Sequence, residues 1–111
     1  MFNRFNITNF LYHDAETKVM KFLIRASFPT EIGNQMVKDP NFLKNMEDYI
    51  KHINAEAVYF TVYEGERTAY FVMEVPSPKE MFGICESLFM MGAKVQRDMV
   101  MSLEDLKNGF S

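Results

Sequence analysis

The run VYFTVYEGERTAYFVMEV, from Val58 to Val75, reads as two β-strands joined by a tight turn at Glu64-Gly65-Glu66. Successive side chains on a strand point to opposite faces. In a half-solvated antiparallel sheet one of the two sets is polar. Here one set is Val58, Phe60, Val62, Ala69, Phe71, Met73 and Val75, which suits a dry core. The other is Tyr59, Thr61, Tyr63, Thr68, Tyr70, Val72 and Glu74: aromatic area topped with hydroxyls and one carboxylate. A two-residue turn at Gly65-Glu66 predicts Glu64 opposite Arg67, Tyr63 opposite Thr68, Thr61 opposite Tyr70 and Tyr59 opposite Val72. An odd-length turn without a bulge would mix the two sets, so the even turn is preferred.

The rest of the chain supplies partners for that hairpin. Residues 1–19 are rich in Asn and Phe and lack a sustained period, so they read as an appended arm, with residues 20–111 as the domain. The arm carries Phe2, Phe5, Phe10, Leu11 and Tyr12 and is expected to dock on its own domain or on a neighbour. Lys21–Phe28 is a strand ended by Pro29. Thr30 is placed to cap a helix, and Asp39-Pro40 interrupts it by capping a second segment. That segment carries Phe42, Leu43, Met46, Tyr49, Ile50 and Ile53 at helical spacing. Ser77-Pro78-Lys79-Glu80 is a capping box. It opens a helix with Met81, Ile84, Cys85, Leu88 and Met91 on one stripe, and Gly92 suits its left-handed end. Val95–Met101 is a last strand, and Ser102 caps a short helix over 103–108. The order strand, helix, strand, strand, helix, strand is the ferredoxin-like βαββαβ pattern. Right-handed crossovers then put both helices on one face of a four-stranded antiparallel sheet, an α+β fold.

Composition narrows the function classes. A chain of 111 residues, 48% hydrophobic and 24% charged, forms one globular domain. A net charge of −3 argues against nucleic acid as the main partner. No run approaches the roughly 18 apolar residues of a membrane helix, so no membrane partner is expected. The first residues make a poor signal peptide, and Cys85 is the only cysteine, so no internal disulfide can form. A cytoplasmic location is the default expectation. Ten Met and eleven Phe, with no Trp, suit a core filled by adaptable side chains. A Met-rich docking surface would instead need Met99 and Met101, or Met90 and Met91, to be exposed.

If both helices cover one sheet face, the other holds Leu23, Arg25, Ser27 and the tyrosine set. That much aromatic area calls for a second layer, and a second subunit packing sheet-to-sheet would supply it. At this point the chain resembles the dimeric α+β barrel superfamily, most closely an uncharacterised family within it. The stretches that carry the likeness are KFLIRASFPTEIGNQMVKDPNFLKNMEDYI, EAVYF, ERTAYFV and MSLEDLKNGF, over roughly residues 20–111. The resemblance implies a homodimer whose paired sheets enclose a mixed-polarity cavity. It implies no particular reaction. The wider superfamily includes cofactor-free monooxygenases, lactone isomerases, haem-handling enzymes and amino-acid-binding regulatory modules.

The candidate ligand-binding residues are Arg25, Ser27, Tyr59, Thr61, Tyr63, Thr68, Tyr70 and Glu74. A strand register that sets Arg25 against Tyr70, Ser27 against Thr68 and Lys21 against Glu74 would gather them. Arg25 could grip a carboxylate in a fork, with the tyrosines as walls for a planar ligand. Glu74 is a possible general base but lies at a strand end. Of Arg97 and Asp98, only one can point into the barrel. His52 reads as a surface residue at a helix end, and Cys85 as buried and inert. No metal signature or phosphate loop occurs, and no cofactor is expected. The leading expectation is a homodimeric small-molecule-binding protein with an anionic or aromatic ligand. The rivals are a cofactor-independent isomerase or monooxygenase, and an assembly protein with a plugged barrel.

Overall fold

A computed structural model describes residues 20–111; the arm, 1–19, lies outside the described residues. Its elements are β1 (Met20–Phe28), α1 (Thr30–Lys38), α2 (Phe42–Ile53), β2 (Ala57–Tyr63), β3 (Glu66–Val75), α3 (Pro78–Met90), β4 (Lys94–Val100) and α4 (Leu103–Gly109). The four strands form one antiparallel sheet in the order β2-β3-β1-β4. This is an α+β architecture with an open sheet. It is compatible with a ferredoxin-like domain whose first crossover is split into two helices.

Strand β1 sits in the middle, and its register is the one expected. Arg25 pairs with Tyr70, Ser27 with Thr68 and Lys21 with Glu74. The register of the hairpin differs from expectation by two residues. Tyr63 pairs with Glu66, Thr61 with Thr68 and Tyr59 with Tyr70. The turn residues are Glu64 (φ 50°) and Gly65 (φ 82°), both left-handed. A turn with positive φ at both centres matches the twist of the flanking strands and places glycine second. The expected turn put Gly65 first. Because the shift is even, each residue keeps its face.

Helices α1, α2 and α3 pack on the face that holds Ile24, Ala26, Phe28, Ala69, Phe71, Met73 and Val75, through Ile32, Met36, Tyr49, Ile50, Met81 and Ile84. Tyr49 meets Phe71 edge-on, with ring centroids 5.9 Å apart. Its hydroxyl donates to Ser87 Oγ at 2.9 Å, and that oxygen in turn donates to the Ile84 carbonyl, so α2 and α3 are tied above the sheet. Burial pushes the Tyr49 phenol above its ordinary value and keeps it a donor.

The caps are partly as expected. Ser77 accepts the Glu80 N–H, and Ser102 and Asp105 form a reciprocal capping box. Thr30 does not cap α1: it already has helical backbone, and the cap position falls to Pro29, which has no side-chain acceptor. Asp39 accepts the Asn41 N–H at 2.9 Å in a turn just ahead of α2, which starts at Phe42 rather than at Pro40. Phe60 and Val62 were expected under the helices but are 60% and 68% exposed. They lie on edge strand β2, beyond the reach of the divided crossover. Leu43, on the apolar stripe of α2, is 78% exposed beside them.

Gly92 ends α3 with φ +90°, and a Cβ there would stand 2.6 Å from Ile32 Cδ1 on α1. Gly83 lies inside α3 with open space around it. In urea unfolding, Gly92→Ala is therefore expected to destabilise the fold by about 1–3 kcal/mol. Gly83→Ala is expected to stabilise it by about 0.5–1 kcal/mol.

Candidate functional site

The face of the sheet without helices carries the candidate site. Its members are fixed by parity: Leu23, Arg25 and Ser27 from β1, Thr68, Tyr70 and Val72 from β3, Tyr59, Thr61 and Tyr63 from β2. Strand β4 adds Lys94 opposite Ser27, Gln96 opposite Arg25 and Asp98 opposite Leu23. The register thus settles the choice between Arg97 and Asp98. Asp98 shares the tyrosine face, while Arg97 pairs with core residue Ile24 and stands exposed at the sheet edge.

Arg25 reaches across β3 to lay its guanidinium over the Tyr63 ring, 3.9 Å from the ring centre. Such a cation–π contact holds the side chain flat while leaving its N–H edge free for an acceptor. Among the described residues no carboxylate pairs with Arg25. Below it, Ser27 Oγ and Thr68 Oγ1 are 3.0 Å apart and almost fully buried, although no helix covers them. Thr68 also donates to the Glu66 carbonyl, which leaves Ser27 as donor to Thr68.

These groups border a polar pocket of about 270 Å³ lined by Arg25, Ser27, Tyr63, Glu66, Lys94 and Gln96, among others. Lys94 Nζ holds both oxygens of Glu66, at 3.1 and 3.2 Å. The pocket therefore has one paired cation and one cation whose partner is an aromatic ring.

Three of the eight sequence-derived candidates, Arg25, Ser27 and Tyr63, line this pocket. Thr68 supports it from beneath. Tyr59, Thr61 and Tyr70 share the open face but lie outside it, with Tyr59 65% exposed. Glu74 is exposed and opposite Lys21, four residues along the sheet from the Arg25–Tyr70 pair, a distance of about 13 Å. Lys21 itself is held by Glu56 at 3.0 Å, which raises its pKa. Glu66, Lys94 and Gln96 were not among the candidates. The parity of β4 against β1 could have found Lys94 and Gln96, and the period-two pattern of β3, extended back from Thr68, could have found Glu66.

His52 is exposed in the last turn of α2, and Cys85 is buried, 3.7 Å from Met81 Sδ. Met90, Met99 and Met101 are exposed at 85%, 52% and 62%, so the condition set for a Met-bearing docking surface is met outside the core. Among the described residues no helix is long and apolar enough to cross a membrane. No family model matches the chain, and neither a curated protein nor a solved structure does.

The buried Ser27–Thr68 pair makes a local test of this geometry. Thr68→Val leaves the Ser27 hydroxyl without its acceptor and is expected to cost about 1–3 kcal/mol. Adding Ser27→Ala removes the orphaned group. The double variant is therefore expected to be less destabilised than the sum of the two singles, measured by a double-mutant cycle in urea.

Proposed function

We propose that this chain is a homodimeric α+β barrel protein that binds a small anionic or aromatic molecule between two sheet faces. The observation that carries the reading is Arg25, stacked on Tyr63 at the edge of a polar pocket with no carboxylate partner among the described residues. An anionic ligand would accept from the free edge of the guanidinium. Gln96, its neighbour on β4, offers a second donor. Tyr59 and Tyr70 face each other across β2 and β3 and would serve as walls for a planar group. The uncovered tyrosine area favours a second sheet as the lid. Ligand binding is favoured over proton-transfer catalysis because Glu74, the candidate base, stands away from Arg25, and Glu66, which lines the pocket, has both carboxylate oxygens held by Lys94.

Native mass spectrometry of the full-length protein from its own host is expected to give a dimer with additional small-molecule mass. Benzoate serves as the solution probe. Its binding is expected to weaken at least about tenfold in Arg25→Ala, with the dimer intact. A monomer, or benzoate affinity unchanged in Arg25→Ala, would overturn the reading.

A further inference from the structure

The side of the sheet opposite the pocket has its own opening. Between α1, α2 and edge strand β2 runs an apolar groove of about 540 Å³, whose walls include Met36, Leu43, Met46, Ile50 and Phe60. Its floor is Phe28 and Ala69, at the end of β1 remote from Met20. Leu43 and Phe60 stand at its lip, 78% and 60% exposed. The methionines let such walls adapt to an inserted side chain. An opening with this lining takes an apolar convex element.

The same chain presents one. Helix α4 is well specified, with a reciprocal capping box at Ser102 and Asp105, yet every residue from Met101 onward is exposed. Leu103, Leu106 and Phe110 are 68%, 47% and 86% exposed. Their spacing of i, i+3 and i+7 is that of a helix seated in a groove. Leu103 and Leu106 lie on α4 and Phe110 is its C-cap residue, and the three span about 10 Å. The groove is lined by Arg67, Lys51 and Glu47, with Lys51 3.8 Å from Glu47, so Arg67 is its excess positive charge; α4 carries Glu104, Asp105 and Lys107, an excess of one negative charge, so the two surfaces are complementary in net charge. Arg67 Nη1 donates to the neutral Asn34 side chain at 2.9 Å, leaving its other N–H groups for an anion.

Strand order excludes insertion within one chain. β4 and β2 are opposite edges of the sheet. The chain leaves β4 at Val100, beside Lys21, whereas the groove lies beyond Phe28. The offset is roughly 20–25 Å along β1 plus about 14 Å across the sheet. We propose that α4 of one copy docks in the α1–α2–β2 groove of a second copy, with Leu106 as the central anchor and Phe110 at the periphery of the contact. Reciprocal exchange about a two-fold axis closes the contact, because each copy gives one helix and receives one. This contact uses neither Arg25 nor the tyrosine face, so it stands or falls separately from the ligand reading.

The test uses the full-length chain carrying Leu43→Cys and Phe110→Cys, oxidised at micromolar concentration. Cys85 is buried and takes no part. The expected result is a disulfide-linked dimer forming at least about tenfold faster than in either single-cysteine chain or in a Glu86→Cys/Phe110→Cys control. Adding Leu106→Glu should abolish that advantage, with the circular dichroism spectrum unchanged because Leu106 is a surface residue of its own chain. Adding Arg25→Ala should leave it intact. Equal cross-linking rates in the Leu43 and Glu86 pairs would overturn the proposal. So would a Leu43–Phe110 link that survives Leu106→Glu undiminished, since the helix would then not be seated by its apolar face.

Discussion

Everything in this domain hangs on the pairing of β1 with β3, unbroken from Met20↔Val75 to Phe28↔Arg67. β1 is central, and its other side is held by β4. A slip of one residue would turn Ile24 and Ala26 outward and carry Arg25 into the space filled by Phe71 and Met73. An unpaired guanidinium there costs several kcal/mol. The alternation of β1 therefore decides both faces of the sheet at once: what the helices cover, and what they leave uncovered. The left-handed pair Glu64-Gly65 passes the same parity to β2.

That parity does not by itself cover the edge. The core is dense where α2 and α3 meet above Phe71, joined by the Tyr49–Ser87 hydrogen bond. It thins toward β2. Asp39-Pro40 breaks the first crossover into two shorter helices, and Phe60 and Val62 of β2 are left without a lid, while Val58 still packs on the core. An exposed edge strand with apolar side chains invites pairing or docking unless it is covered. The uncovered edge and the uncovered tyrosine face thus have different origins. The first comes from where the crossover is broken, the second from helices that occupy one side only.

Much of this was legible in the residues. The element order, the face assignment of both hairpin strands and the β1–β3 register follow from period-two alternation and turn chemistry. The Ser77 cap and the Gly92 terminus were also readable, because each depends on its own few atoms. The hairpin register was harder. Gly65 fits a two-residue turn as either central residue, and the strand pattern is blind to an even shift. Parity alone could name the face of Arg25, but not that it crosses β3 to stack on Tyr63. Nor could it place Lys94 and Gln96 beside it without the β1–β4 register. The exposure of Phe60 and Leu43 was out of reach for a related reason. Apolar spacing shows which side of an element wants cover, not whether the neighbouring element is long enough to provide it.

The two uncovered surfaces lie on opposite sides of one thin sheet, and this restricts how copies of the chain can associate. Pairing through the tyrosine face is isologous, since each copy offers the same surface about a two-fold axis. The proposed α4-to-groove contact would join two different surfaces, and it would close only when exchanged reciprocally about a two-fold of its own or the same axis. One shared axis requires α4 to pass round the β4 edge from one sheet side to the other. The β4 end permits this departure, because nothing of the described chain beyond Val100 is buried. Two perpendicular axes instead generate a closed tetramer of dihedral symmetry, in which every tyrosine face and every groove is filled. In both arrangements the polar pocket at Arg25 stays on the opposite side of the sheet from the α4 contact. Under both proposals, assembly through the groove would therefore leave the side chains of the pocket unchanged.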